Sequence, residues 1–192
     1  MKPTEIPPSL LAETTRCERR GWLSAHDIIV APAPGQQPEK KQHMPNLHGD
    51  WIYEVRLPSG ARLDGWHRNE RVAVEYKTEE PHMAHVLQGW AYALELEERG
   101  IEHAEMQLWY PASMQKTITG LAEGMGLQYR IAEENDIAVI WLNSPDLDFT
   151  ETIYRAVKRL QELVSKTAPP GPKPRTAAAC QRCPYHDFCH FI

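Results

Sequence analysis

Cysteine stands near the two ends of this chain and nowhere between them. Cys17 lies close to the start, and Cys180, Cys183 and Cys189 close the other end in a Cys-x-x-Cys-x5-Cys spacing. Four thiolates in such a pattern suit zinc or an iron–sulfur centre. If one centre takes all four, the intervening chain must fold so that its first helix meets its tail. Closing a loop of nearly the whole chain removes much unfolded-state entropy, which makes a structural role the natural one. A zinc ribbon usually pairs two Cys-x-x-Cys knuckles, and here there is one. Disulfides are the weaker reading. The N-terminal MKPTEIPPSL lacks the charged-then-apolar pattern of a secretion signal, so a reducing, cytoplasmic setting is expected.

The 192 residues fit one domain with a real core, and an apolar content of 42% argues against disorder. No apolar run reaches the about 20 residues that span a bilayer, so no membrane association is expected. A net charge of -5 argues against non-specific coating of nucleic acid, so contact with a polyanion must use a local basic patch. It also suits a site that collects divalent cations.

Pro7-Pro8-Ser9 predicts a helix over residues 10–25 with Ser9 as N-cap, carrying Cys17 and the basic Arg16, Arg19 and Arg20. Residues 31–45, with four prolines, read as a loop. Three strands follow at 51–57, 61–67 and 71–78, joined by Pro58-Ser59-Gly60 and Arg68-Asn69-Glu70 in an antiparallel meander. Pro81 opens a helix to about Arg99, closed by Gly100. Strands are expected at 105–110 and 137–142 and an amphipathic helix at 149–166, while 111–136 is ambiguous apart from a possible strand at 127–131. The proline-rich stretch 168–174 reads as an extended linker to the cysteine box. This order makes one α/β or α+β domain over residues 1–192, a mixed sheet flanked by helices, with Cys17 and residues 180–189 forming a subdomain.

The segment richest in chemistry is Leu63-Asp64-Gly65-Trp66 followed by Val72-Ala73-Val74-Glu75-Tyr76-Lys77. Side chains alternate along a strand, so Glu75 and Lys77 share a face. A buried ion pair at the end of an apolar strand is costly unless something repays it. A hard divalent cation does: Asp64 and Glu75 offer carboxylate oxygens and Tyr76 its backbone carbonyl. Lys77 would then orient or deprotonate an attacking water, or stabilise charge on a phosphate. Taken alone, Glu-x-Lys is an ordinary solvated cross-strand pair. Its context changes the weighing. Gln88-Gly89-Trp90-Ala91-Tyr92 puts Gln88 and Tyr92 at i and i+4 on the following helix, with His85 on the same face. His48 precedes the first strand, with His43, His67, His82 and His85 as competitors for a ligand role.

The order His48, Asp64, Glu75-x-Lys77, Gln88-x-x-x-Tyr92 resembles the RecB-like branch of the PD-(D/E)XK nucleases, which have a restriction-endonuclease-like core. With Cys17-Glu18-Arg19-Arg20-Gly21-Trp22-Leu23 and the terminal cysteine box, the resemblance extends over nearly the whole chain to the CRISPR-associated exonuclease Cas-four family. The small size argues against the large helicase-like AddB. The resemblance implies a Mg2+- or Mn2+-dependent deoxyribonuclease, with 5′ to 3′ exonuclease polarity and endonuclease activity as a further option. It implies His48, Asp64, Glu75 and Tyr76 as metal ligands, and Asp64, Glu75 and Lys77 as the catalytic set. A 4Fe-4S cluster on Cys17, Cys180, Cys183 and Cys189 follows from the same likeness. So do DNA contacts from Gln88 and Tyr92. Arg19 and Arg20 on the basic first helix are expected to contact the strand, with Trp22 or Tyr92 as stacking platforms. Arg155, Lys158 and Arg159 make a second basic face, equally read as solvated. Expected partners are single-stranded DNA or prespacer overhangs and the CRISPR integrase pair Cas-one and Cas-two. Two other functions stay open: a recombination or repair exonuclease outside CRISPR, and a non-catalytic DNA-binding scaffold.

Overall fold

The computed structural model describes residues 6–26, 45, 49–103, 105–132, 136–142 and 147–171, together with 180, 181, 183, 185 and 189. The first helix is broken in two, α1 (Pro8–Arg16) and α2 (Glu18–Ala25). Cys17 between them is extended, with φ -163° and ψ 124°, so the continuous helix expected over 10–25 does not form. The start is also different. Pro7 takes the N-cap position and no side chain caps the helix, leaving Pro8 in the first turn, where its missing N–H is harmless. The two helices meet closely: a Cβ added at Gly21 would lie 2.8 Å from the Thr14 Cα.

The meander forms as expected, with β1 (Trp51–Arg56), β2 (Arg62–His67) and β3 (Val72–Tyr76). After it come α3 (Met83–Glu98) and β4 (Glu105–Pro111). The ambiguous stretch holds a short 3-10 turn at Ala112–Met114, then α4 (Gln115–Met125) and β5 (Gln128–Ala132). β6 (Ile137–Leu142) and α5 (Leu147–Val164) complete the order. The six strands make one mixed sheet in the order β1-β2-β3-β4-β6-β5. Only β3 and β4 run parallel, as the α3 crossover between them requires; the other pairings are antiparallel.

Period-two alternation divides the sheet into two faces. On one, Ala73, Met106, Leu108, Tyr110, Ala138, Ile140 and Leu142 join the main core with Val86, Trp90 and Leu96 of α3 and Ile153, Val157 and Leu160 of α5. On the other, Val72, Val74, Trp109, Ile137 and Val139 form a smaller cluster edged by Trp51, Tyr53, Tyr76 and Trp141. α3 lies close against the sheet at Gly89, where an added Cβ would run into the Leu142 and Leu108 side chains. Among the described residues no helix is long and apolar enough to cross a membrane.

Candidate active site

The sheet brings Asp64 and Glu75 together. β2 and β3 pair through Gly65↔Val74 and Trp66↔Ala73, and continuing that register sets Asp64 opposite Glu75. Directly opposed residues share a face. The Asp64 Oδ2 accepts a hydrogen bond from the Tyr76 backbone N–H at 2.8 Å, which fixes the carboxylate against the end of β3. One further distortion escaped sequence reasoning. Glu54 in β1 adopts φ 55°, a left-handed conformation uncommon for a non-glycine residue, and the β1–β2 register steps past it from Tyr53↔Gly65 to Val55↔Leu63. The kink lies opposite Asp64.

Lys77 falls just beyond β3 but remains tied to the sheet, its N–H donating to the Trp109 carbonyl at 2.8 Å. Its Nζ donates to the Glu75 Oε1 at 2.8 Å and to the Gln88 Oε1 at 2.9 Å. The Gln88 Nε2 donates to the same Glu75 oxygen at 3.1 Å and lies 3.4 Å from the Tyr92 hydroxyl, which donates to the Arg62 carbonyl at 3.0 Å. Thus the i, i+4 pair of α3 fastens the catalytic candidates from the helix side of the sheet. An ammonium carries three protons, and two of those on Lys77 are used here, so one remains for a ligand.

Glu75 is 6% exposed. Burial pushes its carboxyl up to about 7; the Lys77 ammonium opposes the shift and the Asp64 charge adds to it. Its Oε2 is buried without a hydrogen-bond partner. Two carboxylates in mutual repulsion, one with an orphaned oxygen, form an oxygen donor set that a hard divalent ion would satisfy. The residues therefore fit such an ion.

His48, expected as a further ligand, lies outside the described residues. Gln88 and Tyr92 are buried, at 5% and 3% exposure, and act within the network described above. Trp22 is buried and stacks on His26, while its Nε1 donates to the Lys166 carbonyl at 3.1 Å. Neither Trp22 nor Tyr92 offers an open ring face, so the stacking platforms expected of them are absent from this arrangement. Arg19 is 4% exposed, and Arg20 is paired with Glu13. On α5, Arg159 is bound by Glu18 at 2.6 and 2.9 Å, and Arg155 pairs with Glu151, which favours the solvated-face reading of that helix.

The cysteines come from both ends of the chain to one neighbourhood. Burial raises the Cys189 thiol; Arg19 opposes this, and Cys183, Cys17 and Cys180 each add to the rise. The Cys183 N–H donates to the Cys180 carbonyl at 3.0 Å, and the Ser24 and Tyr185 hydroxyls meet at 3.2 Å, joining α2 to the tail.

A family model described as the PD-(D/E)XK nuclease superfamily matches residues 62–190. Among curated proteins none matches. A solved structure described as "Crystal structure of SSO0001" is similar at 20% identity and a TM-score of 0.41, over 72% of this chain and 59% of that one. The chain thus spans less than two thirds of that protein's length.

Proposed function

Because the chain belongs to the PD-(D/E)XK nuclease superfamily, we propose that it is a divalent-metal-dependent deoxyribonuclease acting on single-stranded DNA or overhangs. The superfamily makes it a hydrolase of nucleic acids. The observation that carries the finer reading is the Glu75 carboxylate, buried against Asp64 with its Oε2 orphaned and its Oε1 held by Lys77 and Gln88.

In this reading Asp64, Glu75, the Tyr76 carbonyl and His48 hold Mg2+ or Mn2+. The ion supplies Lewis-acid activation of water and charge neutralisation at the phosphate. Lys77 contributes its remaining N–H to the attacking water or to a non-bridging phosphate oxygen. Gln88 keeps the ammonium aimed, and Tyr92 keeps Gln88 aimed. Gln88 and Tyr92 act on the DNA through Lys77 and Glu75. Arg19, expected to contact DNA, is 4% exposed and reaches a strand only if it swings out. Arg20 reaches a strand only on leaving Glu13.

The proposed cofactor of Cys17, Cys180, Cys183 and Cys189 is a 4Fe-4S cluster. What supports a shared centre is proximity: Cys183, Cys17 and Cys180 each add to the rise of the Cys189 thiol. The choice of an iron–sulfur cluster over zinc rests on the sequence resemblance. The role in trimming prespacer overhangs beside Cas-one and Cas-two, and the 5′ to 3′ polarity, rest on the sequence resemblance.

The test compares end-labelled single strands, overhang duplexes and blunt duplexes with Mg2+, Mn2+ or EDTA, using wild type and Asp64→Asn. Metal-dependent shortening of single strands and overhangs, lost in Asp64→Asn, is expected. Equal attack on blunt duplex would overturn the substrate reading, and activity of Asp64→Asn at the wild-type rate would overturn the site.

A further inference from the structure

A second cluster of ligand atoms lies on the same helix, one turn before Gln88. His82 is the N-cap residue of α3, His85 follows on its first turn, and Glu79 precedes both in the connection from β3. The Glu79 carboxylate oxygen and one nitrogen of each imidazole lie within 4.8 Å of one another. Neither Asp64 nor Glu75 belongs to this set. All three converge on one atom, the Arg16 Nη2, which is 2.7 Å from the His82 Nε2, 2.9 Å from the His85 Nε2 and 3.0 Å from the Glu79 Oε2.

A guanidinium nitrogen of this kind carries two hydrogens, so three acceptors oversubscribe it. The match is poor in another respect: the Arg16 Nε is buried with no hydrogen-bond partner. Arginine serves well where its planar fork meets a planar acceptor. Here the acceptors surround a single positive point, which is the demand of a metal ion. One of the imidazoles is held in a fixed orientation. His85 is fully buried, its Nδ1 engaged with the Tyr110 hydroxyl at 3.1 Å, so the Nε2 is the nitrogen presented to the cation. A second-layer partner of this kind fixes the orientation of a ligating histidine.

We propose that Glu79, His82 and His85 form a second cation site, for a borderline divalent ion such as Zn2+ or Co2+, with the Arg16 guanidinium as its competitor. Two imidazoles and one carboxylate favour these ions over Mg2+, which prefers oxygen throughout. Three protein ligands leave a coordination position for water or a phosphate oxygen. The ion displaces Arg16, whose Nη1 already lies 3.8 Å from the Glu13 carboxylate. Arg16 adjoins Cys17, so the exchange occurs beside the cysteine centre.

The experiment titrates Co2+ into the full chain, isolated with its cysteine centre loaded and with saturating Mg2+ present to fill the carboxylate pair. One Co2+ equivalent with a d–d spectrum and no thiolate charge-transfer band is expected. Glu79→Gln and His82→Ala should weaken it by at least the about tenfold that loss of an outer-layer partner costs. Glu79 is exposed, so its substitution leaves the core alone. Arg16→Met should tighten binding. Three outcomes would overturn the proposal: no such equivalent, an equivalent that both ligand variants leave unchanged, or an Arg16→Met chain that binds no more tightly than wild type.

Discussion

Glu75 concentrates the electrostatics of the site in one residue. Its carboxyl titrates at about 7 in the fold against an ordinary 4.5, chiefly because it is buried. Between those values the folded, metal-free protein holds a proton that the unfolded chain has released. Stability is therefore greatest below the unfolded value and falls as pH rises towards about 7. Denaturant unfolding in EDTA should show this decline in wild type, and Glu75→Gln should lose that component. Mg2+ should restore wild-type stability at the upper end of the window, because it binds the folded carboxylates. Gln88 makes a different residue-scale prediction. It touches Lys77 and Glu75 without being the proposed acid, base or ligand. Gln88→Ala should lower kcat by about 10–100-fold, the usual cost of losing an orienting partner, with little change in KM. Steady-state kinetics on a single-stranded substrate reads that split.

Among the elements, helix contacts at glycine separate two opposite effects. At Gly21 an added Cβ meets the Thr14 backbone at 2.8 Å, so Gly21→Ala forces α2 away from α1. A loss of about 1–3 kcal/mol is expected, as for other overpacked contacts. At Gly120 in α4 nothing lies within 4 Å, and Gly120→Ala should raise stability by about 0.5–1 kcal/mol. Thermal unfolding of the two variants should move in opposite directions. The meander, α3 and the placement of Asp64, Glu75 and Lys77 were legible in the sequence because alternation and a proline-to-glycine helix frame are local patterns. The break at Cys17 was not, because no glycine or proline marks it and extended backbone suits any residue. α4 was hidden because Gly120 and Gly124 lower its helix propensity, and packing of Ile118 and Ala122 outweighs them. Arg19 and Arg20, expected to contact a strand, are here buried or paired with Glu13, and Arg159, read equally as part of a solvated face, is bound by Glu18.

At the scale of the molecule, the ends of the chain meet where α2 touches both α5 and the cysteine tail. Glu18 binds Arg159, Trp22 reaches the Lys166 carbonyl, and Ser24 meets Tyr185. The proposed cysteine centre would join this corner, so its loss should be felt beyond the box itself. Cys17→Ala should purify without iron and unfold at lower temperature, with nuclease activity falling as the fold loosens. Iron analysis beside calorimetry checks it, and one zinc with no iron in wild type would replace the cluster with a zinc site. The central claim concerns the N-terminal half of α3, where Gln88 meets Glu75 and Lys77 and where we assign the superfamily's hydrolytic chemistry to Asp64, Glu75 and Lys77. The most direct measurement is single-turnover hydrolysis of single-stranded DNA by wild type and Lys77→Ala, with DNA affinity measured alongside. The account predicts Mg2+- or Mn2+-dependent cleavage by wild type, slowed at least about 100-fold by Lys77→Ala while DNA remains bound. Cleavage by Lys77→Ala at the wild-type rate would contradict it.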